Sequence, residues 1–198
     1  RVIVPRDEYC YPGDMKKLPT LHRGRIYLIQ ADLPIRRELV NAAIARLAFA
    51  GPLLVLDGGN SFQAHRIARL LRSQTEDLHA VLNNIVVARA FTCYQVVALL
   101  ANTPATPVPT LVLELLDTFQ DENVRLEERQ RLLVETVAQL RRLSLRAPLA
   151  VSVAPALTPD GAMLLNALED ACDGAWRMEP VPPAATQLSF FPDPSSRP

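Results

Sequence analysis

Short apolar runs alternate with longer helical patterns along most of the chain. The runs are typical of strands buried on both faces of a sheet, and they fall at residues 25–31, 53–56, 85–87, 110–116 and 149–153. Apolar residues at helical spacing predict helices at residues 34–49, 62–71, 94–102, 125–146 and 161–171. This alternation predicts an α/β protein with a mainly parallel sheet and right-handed crossovers.

The two ends of the chain differ in composition from this central region. Residues 1–24 mix charged residues, proline and glycine, and we interpret them as an irregular N-terminal segment. Residues 179–198 contain six prolines and are predicted to form a flexible tail that does not join the core. The predicted organisation is therefore an N-terminal segment (1–24), a core (25–178) and a proline-rich tail (179–198).

Composition narrows the class of protein. The chain has 198 residues, 49% of them hydrophobic, so it can bury the core of one large domain. The net charge is zero, and no overall field attracts the protein to nucleic acid. The three cysteines, Cys10, Cys93 and Cys172, show no metal-ligand or disulfide spacing, which indicates cytoplasmic thiols and no metal site. No apolar run reaches the roughly 18 residues of a membrane span, so no membrane association is expected.

Four segments, in order along residues 24–155, resemble the ATPase core of the RecA/RadA recombinase superfamily. The strongest local match is Ala88-Arg89-Ala90-Phe91 followed by Gln95, which resembles the family's strand and the early glutamine of its next helix. The others are residues 56–67, 115–118 and 126–155, which resemble the second-strand turn, the second nucleotide motif and the helix and strand after it. The resemblance implies a RecA-like three-layer core with a mainly parallel sheet.

The residues at the family's nucleotide-binding loop differ from its pattern. Ala31 and Arg36 stand at the two glycine positions, Arg37 at the lysine position and Glu38 at the hydroxyl position. A phosphate-binding loop needs glycines so that its backbone N–H groups can surround the phosphates, and it needs the lysine charge. Gly59 stands where the family carries the catalytic glutamate. The resemblance therefore implies a pseudo-ATPase that binds no cofactor.

Two acidic residues remain near this degenerate nucleotide site. Asp117 matches a carboxylate of the family's second nucleotide motif, but without a phosphate loop we favour a structural role in capping the following turn. Glu114 lies within an apolar run, so we expect it at an edge, at a water-filled former site or against an arginine. An alternative hypothesis is a divergent nucleotide-binding ATPase that uses Arg36, Arg37 and Asp117.

The helix predicted at residues 125–146 is rich in arginine. Its candidate contacts to DNA or to an acidic partner are Arg125, Arg129, Arg141, Arg142 and Arg146. The alternative is an ordinary solvated face of an amphipathic helix, which we favour. In the related recombinases two loops bind DNA, and the corresponding residues here, 119–124 and 154–160, contain no basic side chain. We therefore expect weak or no direct DNA binding.

The tail contains a second resemblance. Gln187-Leu188-Ser189-Phe190-Phe191 resembles the pentapeptide by which bacterial proteins bind the sliding clamp. The alternative is that this segment folds back as a last strand of the core. Together, the two resemblances suggest a non-catalytic RecA-like accessory protein of bacterial DNA repair. Such a protein would act by contact with a repair partner, for example the clamp or a translesion polymerase.

Overall fold

A computed structural model describes Val2–Ile3 and residues 20–178 of the chain. The described residues form one sheet in which every pair of neighbouring strands is parallel, in the order β1-β7-β2-β6-β5-β3-β4. The strands are β1 (Val2–Ile3), β2 (Ile26–Ala31), β3 (Leu53–Asp57), β4 (Ile85–Arg89), β5 (Thr110–Leu113), β6 (Leu149–Val153) and β7 (Gly174–Met178).

Helices cover both faces of the sheet. They are α1 (Leu33–Ala50), α2 (Ala64–Arg72), α3 (Leu78–Asn83), α4 (Cys93–Asn102), α5 (Leu126–Ser144) and α6 (Pro159–Ala171), with a 3₁₀ helix at Asp117–Gln120. The chain runs from β2 through β3 to β4 toward one edge, then returns through β5 and β6 to β7. Because parallel crossovers are right-handed, α1 to α3 lie on one face and α4 to α6 on the other.

The helix contacts and the two hydrophobic cores agree with this layering. Helix α1 packs against α2 and α3, while α5 packs against α4 and α6. Ile44 and Ile67 are buried in the core on the first face, and Phe119 and Leu140 in the core on the second. The predicted fold class, an α/β protein with a RecA-like three-layer core and a mainly parallel sheet, is confirmed.

The sequence patterns missed four elements, namely β1, α3, β7 and the 3₁₀ helix, and misplaced the end of β5. Residues 2–3 form β1 although residues 1–24 were expected to be irregular, because two residues carry no periodic signal. Helix α3 has six residues, too few for a helical repeat, and β7 shows only a weak apolar pattern. Strand β5 ends at Leu113 rather than Leu116, because Glu114 adopts a left-handed backbone conformation.

The described helices and cysteines can be compared with the expectations of no membrane association and of unpaired thiols. No described helix is long and apolar enough to cross a bilayer. Cys93 and Cys172 are buried free thiols, and burial raises the pKa of Cys172 to about 12. Cys10 lies outside the described residues.

Candidate functional site

The candidate site is a crevice at the carboxyl ends of β2, β6, β5 and β3. Helix α1 follows β2 on one face of the sheet, whereas α5 and α6 follow β5 and β6 on the other. Where neighbouring strands lead to opposite faces, their loops separate, and open α/β sheets commonly bind ligands in the resulting crevice. The crevice brings together Arg36, Asp57, Gly59, Glu114 and Asp117.

Arg36 extends from the first turn of α1 into the crevice and is 4% exposed. Its Nε donates to Oε1 of Glu114 at 2.7 Å, and its Nη1 donates to the backbone oxygen of Ala31. Burying a guanidinium is costly unless it is paired and hydrogen-bonded, and here both conditions hold. Arg36, at a position that is glycine in the family that the segment resembles, thus fills the crevice with its side chain.

Glu114 follows β5 and is buried together with Arg36. Its φ angle is 49°, in the left-handed region that a non-glycine residue occupies at a cost on the order of 1 kcal/mol. Its N–H donates to Oγ of Ser152 at 3.0 Å, while its Oε2 has no hydrogen-bond partner among the described residues. Of the three placements considered from sequence, pairing with an arginine is the one found.

Gly59 packs directly against the two acidic residues of the crevice. A β-carbon at this position would lie 2.7 Å from Oδ2 of Asp117 and 3.0 Å from Cγ of Glu114, and it would overlap the Cβ of Glu114. The left-handed residue of the turn is Asn60, with φ of 50°, and not Gly59. Space, rather than backbone conformation, therefore requires glycine at position 59.

Asp117 begins the 3₁₀ helix at the rim of the crevice. Its outer surface is exposed, whereas its Oδ2 is turned toward Gly59. Partial burial, followed by the charge of Glu114, raises the pKa of this carboxyl above its ordinary 3.8 to about 6, and Arg36 partly opposes the shift. The predicted capping role is not found, since its carboxylate accepts no hydrogen bond from the following turn within the described residues.

Asp57 ends β3 and is fully buried. Its carboxylate accepts hydrogen bonds from the backbone N–H groups of Ser61 and Phe62 at 2.9 and 3.0 Å, and from Nε of Arg89 at 3.2 Å. The turn after β3 is thereby fixed to the end of β4, the strand that carries the family-like Ala-Arg-Ala-Phe sequence. Sequence reasoning noted both segments but not the contact between them.

The other two residues of the segment that resembles the family's phosphate loop lie on α1 without entering this network. Arg37 is half-buried, and its Nε is buried without a hydrogen-bond partner among the described residues. Glu38 is exposed. The structure brings Arg36, Gly59 and Asp117 together, as the resemblance implies, but adds Glu114 as the residue that neutralises Arg36.

Gln95, the helix glutamine of the family-like segment, has a local role in the structure. Its Oε1 accepts from the N–H of Phe91 at 2.8 Å, while Thr92 Oγ1 accepts from the N–H of Gln95 at 3.2 Å. Thr92 is thus the N-cap of α4, and the Gln95 side chain reaches back to the residue before it, in a variant of the capping box. Capping therefore accounts for both Thr92 and Gln95 without a ligand.

Two arginines proposed for DNA contact connect α5 to the elements around it. Arg129 is buried, and it donates to Oδ2 of Asp160 at 2.8 Å and to the backbone oxygen of Phe119 at 3.1 Å. Arg141 donates to Oδ2 of Asp173 at 2.7 Å. These contacts hold α5 to the 3₁₀ helix, to α6 and to the α6–β7 connection.

The remaining three arginines of that prediction differ from one another. Arg142 donates to the backbone oxygens of Leu100 and Thr103 at 2.9 and 2.8 Å, so it satisfies carbonyl groups at the end of α4. Arg125 and Arg146, at the two ends of α5, are exposed. The proposed basic face of α5 is thus largely used in contacts within the chain.

The clamp-like segment from Gln187 to Phe191 lies outside the described residues. Among the described residues, no three His, Cys, Asp or Glu side chains are grouped so that they could hold a metal ion. In comparisons with known proteins, no protein-family model and no curated protein matches the sequence.

Proposed function

We propose that this chain is a non-catalytic RecA-like protein, a pseudo-ATPase, which serves as an accessory factor in bacterial DNA repair through protein contacts. The observation that carries the proposal is the buried Arg36–Glu114 ion pair in the crevice at the carboxyl ends of the strands. In the family that the chain resembles, the phosphates of ATP bind at this place. The residues present here do not fit phosphates.

The misfit is both steric and electrostatic. Phosphate binding at a helix start depends on free backbone N–H groups and an unneutralised cation. Here the cation inside the crevice is Arg36, and Glu114 already neutralises it at 2.7 Å, while Arg37, at the lysine position, does not enter this network. Glu114 and Asp117 would also place carboxylates beside an incoming phosphate, which they would repel.

The hydrolytic step lacks its expected residue as well. In the family a glutamate orients the attacking water, and Gly59 stands at that position. Because Glu114 and Asp117 occupy the space a β-carbon would need, a glutamate at position 59 has no room in this arrangement. Positioning and electrostatics supply nearly all catalysis of phosphoryl transfer, so ATP turnover is not expected.

Titration calorimetry with magnesium-ATP tests this part of the proposal. We expect no heat of binding at ATP concentrations up to about 1 mM, which excludes a binding free energy more favourable than about −4 kcal/mol. We also expect no phosphate release in a parallel turnover assay. Asp117→Ala serves as the comparison. Micromolar binding with turnover that Asp117→Ala abolishes would contradict the proposal and support the divergent ATPase.

The proposed partner is a bacterial sliding clamp, and this part of the proposal rests on the sequence of the tail. A glutamine followed by leucine and two phenylalanines suits an apolar groove with a polar rim, as extended peptides are commonly bound. The full chain is expected to bind a bacterial sliding clamp, and Leu188→Ala combined with Phe191→Ala to abolish that binding. Ser195→Ala combined with Ser196→Ala, in the same tail, is the matched control. A clamp that does not bind the unaltered chain would exclude this partner.

The proposal places the protein in the cytoplasm. Cys93 and Cys172 are buried and free in the structure, and a reducing compartment would keep such thiols reduced.

A further inference from the structure

Helix α2 presents three arginines on its solvent face. Arg66, Arg69 and Arg72 are all exposed, while Ile67 and Leu71 on the opposite side are fully buried against the sheet. With 100° between successive helical residues, the three arginines fall within an arc of about 120°, and their Cα atoms span about 9 Å along the axis. The helix therefore presents a compact basic surface, which we call the α2 arginine face.

The guanidinium groups of these arginines are unpaired within the described part of the chain. None of the three forms an ion pair or side-chain hydrogen bond with a described residue. The acidic residues nearest in sequence are Glu76 and Asp77, and the carboxylate of Asp77 accepts from the N–H of Ala80 at the start of α3. Helix α2 itself contains no acidic residue.

Three arginines of α5, unlike those of α2, form ion pairs with described residues. Arg131 pairs with Glu128 and Glu135, and Arg129 and Arg141 pair with aspartates on neighbouring elements. These three arginines of α5 are thus neutralised by acidic residues. The α2 arginine face has no such partner among the described residues, so its charge is available to a partner molecule.

We propose that the α2 arginine face contacts the phosphate backbone of a nucleic acid. Guanidinium groups bind phosphate oxygens through paired hydrogen bonds, and phosphate contacts need no sequence readout. A protein partner is the less suitable occupant, because docking surfaces for proteins have an apolar centre and α2 exposes no large hydrophobic side chain. Nucleic-acid interfaces are characteristically polar and positively charged.

The strength and salt dependence of this contact follow from its charge. The chain has no net charge, so the attraction must come from a local surface such as this face. Neutralising three phosphates of a duplex predicts a slope of about −2.7 in the logarithm of affinity against the logarithm of salt concentration. Between about 50 and 200 mM salt, affinity should therefore fall roughly 40-fold. This inference does not depend on the proposed loss of ATP chemistry or on the tail.

Fluorescence anisotropy with labelled duplex and single-stranded DNA of about 30 nucleotides tests the proposal over that salt range. Combining Arg66→Gln, Arg69→Gln and Arg72→Gln should abolish the salt-dependent binding, and Arg69→Gln alone should reduce the slope by about 0.9. The matched control combines Arg125→Gln, Arg131→Gln and Arg146→Gln on and beside α5, which removes the same charge and should leave binding unchanged. All substituted side chains are exposed, and melting temperatures verify that the variants fold.

Three results would overturn the assignment. The first is that the unaltered protein binds neither DNA at about 50 mM salt, where three phosphate contacts are strongest. The second is that the α5 control loses as much affinity as the α2 variant, which would place the contact elsewhere. The third is that polyglutamate of matched charge competes as well as DNA, which would identify the face as a site for an acidic protein segment.

Discussion

Arg36 and Glu114 lie 78 residues apart in sequence, and Nε of the arginine is 2.7 Å from Oε1 of the glutamate. Their side chains are 4% and 5% exposed. The pair joins the start of α1, on one face of the sheet, to the end of β5, whose following helix lies on the other face. It therefore closes the crevice with groups of the chain itself, where an open α/β sheet would commonly accept a ligand.

Removing Arg36 is expected to destabilise the fold strongly. Arg36→Met keeps much of the buried apolar volume but leaves the Glu114 carboxylate buried without its cation, which costs about 3 kcal/mol or more. Urea unfolding at pH 7 measures the free energy of unfolding. Arg37→Met is the matched control, since Arg37 forms no ion pair with any described residue, and it should cost less than about 1 kcal/mol.

The double variant measures the energetic coupling between Arg36 and Glu114 apart from their contacts with other residues. Arg36→Met combined with Glu114→Gln removes both charges, so its cost should fall short of the sum of the single variants by about 2 kcal/mol. Additive costs would mean that the two residues are not energetically coupled, contrary to the geometry.

A substitution at Gly59 is expected to destabilise the fold because the space is already filled. Gly59→Ala would bring a methyl group within 3.0 Å of Glu114 and Asp117, with an expected cost of about 1–3 kcal/mol, and Gly59→Glu should cost more. In a Glu114→Gly background the two contacts with Glu114 disappear and only the contact with Oδ2 of Asp117 is left, and Glu114 already has a φ that suits glycine. Chemical denaturation should then show a smaller cost of Gly59→Ala in that background. An equal cost in both backgrounds would refute the steric explanation.

The pKa of Asp117 predicts a specific dependence of stability on pH. This carboxyl has a pKa of about 6 in the folded protein and about 3.8 when unfolded, so the folded state binds more protons between these values. The contribution of Asp117 to the free energy of unfolding therefore decreases as pH rises from about 4 to about 6. Solvent at the exposed rim limits its size. Asp117→Asn should remove this decrease and be relatively more stable at pH 7 than at pH 4.

The acidic residue Asp121, four positions later, is the control for that measurement. Hydrogen bonds from Asn123 lower the pKa of Asp121, so its contribution is present above pH 4 and is lost only as pH falls further. Asp121→Asn should leave the slope between pH 4.5 and 7 unchanged. The assignment of the slope to Asp117 fails if Asp121→Asn alters it as much as Asp117→Asn does.

The sequence predicts the layered fold because its signal is local. Apolar runs and helical spacing mark five of the seven strands and all α-helices except α3. The elements that the sequence does not predict are short, such as Val2–Ile3 and Leu78–Asn83. So few residues do not show the hydrophobic period of a strand or a helix. The end of a strand also cannot be predicted from the sequence where the backbone turns at a residue other than glycine or proline, as it does at Glu114.

The site is less accessible to sequence reasoning because it depends on contacts between distant residues. Arg36, Gly59 and Asp117 were identified as members of one region through the family resemblance, and the structure brings them together. The partner of Arg36 was only one of three alternatives considered for Glu114. No spacing rule connects positions 36 and 114, since the sheet order β2-β6-β5 brings them together and only the fold determines that order.

Arg142 provides a final test of whether the arginines of α5 serve the fold. Its Nη2 donates to the backbone oxygens of Leu100 and Thr103, and its Nε donates to Oε1 of Gln139 at 2.7 Å. The last carbonyl groups of a helix have no hydrogen-bond partner within the helix. A cationic side chain that donates hydrogen bonds to them therefore stabilises the end of α4. Arg142→Met should lower the free energy of unfolding by about 2 kcal/mol.

Arg146, exposed one turn further along, is the control for Arg142. Arg146→Met removes the same charge and should change stability by less than about 0.5 kcal/mol. Hydrogen exchange should also quicken in the last turn of α4 for Arg142→Met alone, which distinguishes a capping contact from a general effect of charge. Equal stability of the two variants would mean that Arg142 is dispensable to the fold, and its guanidinium would then again be a candidate for binding phosphate. The expected inequality assigns Arg142 to the α4–α5 contact and removes it from the candidates for phosphate binding.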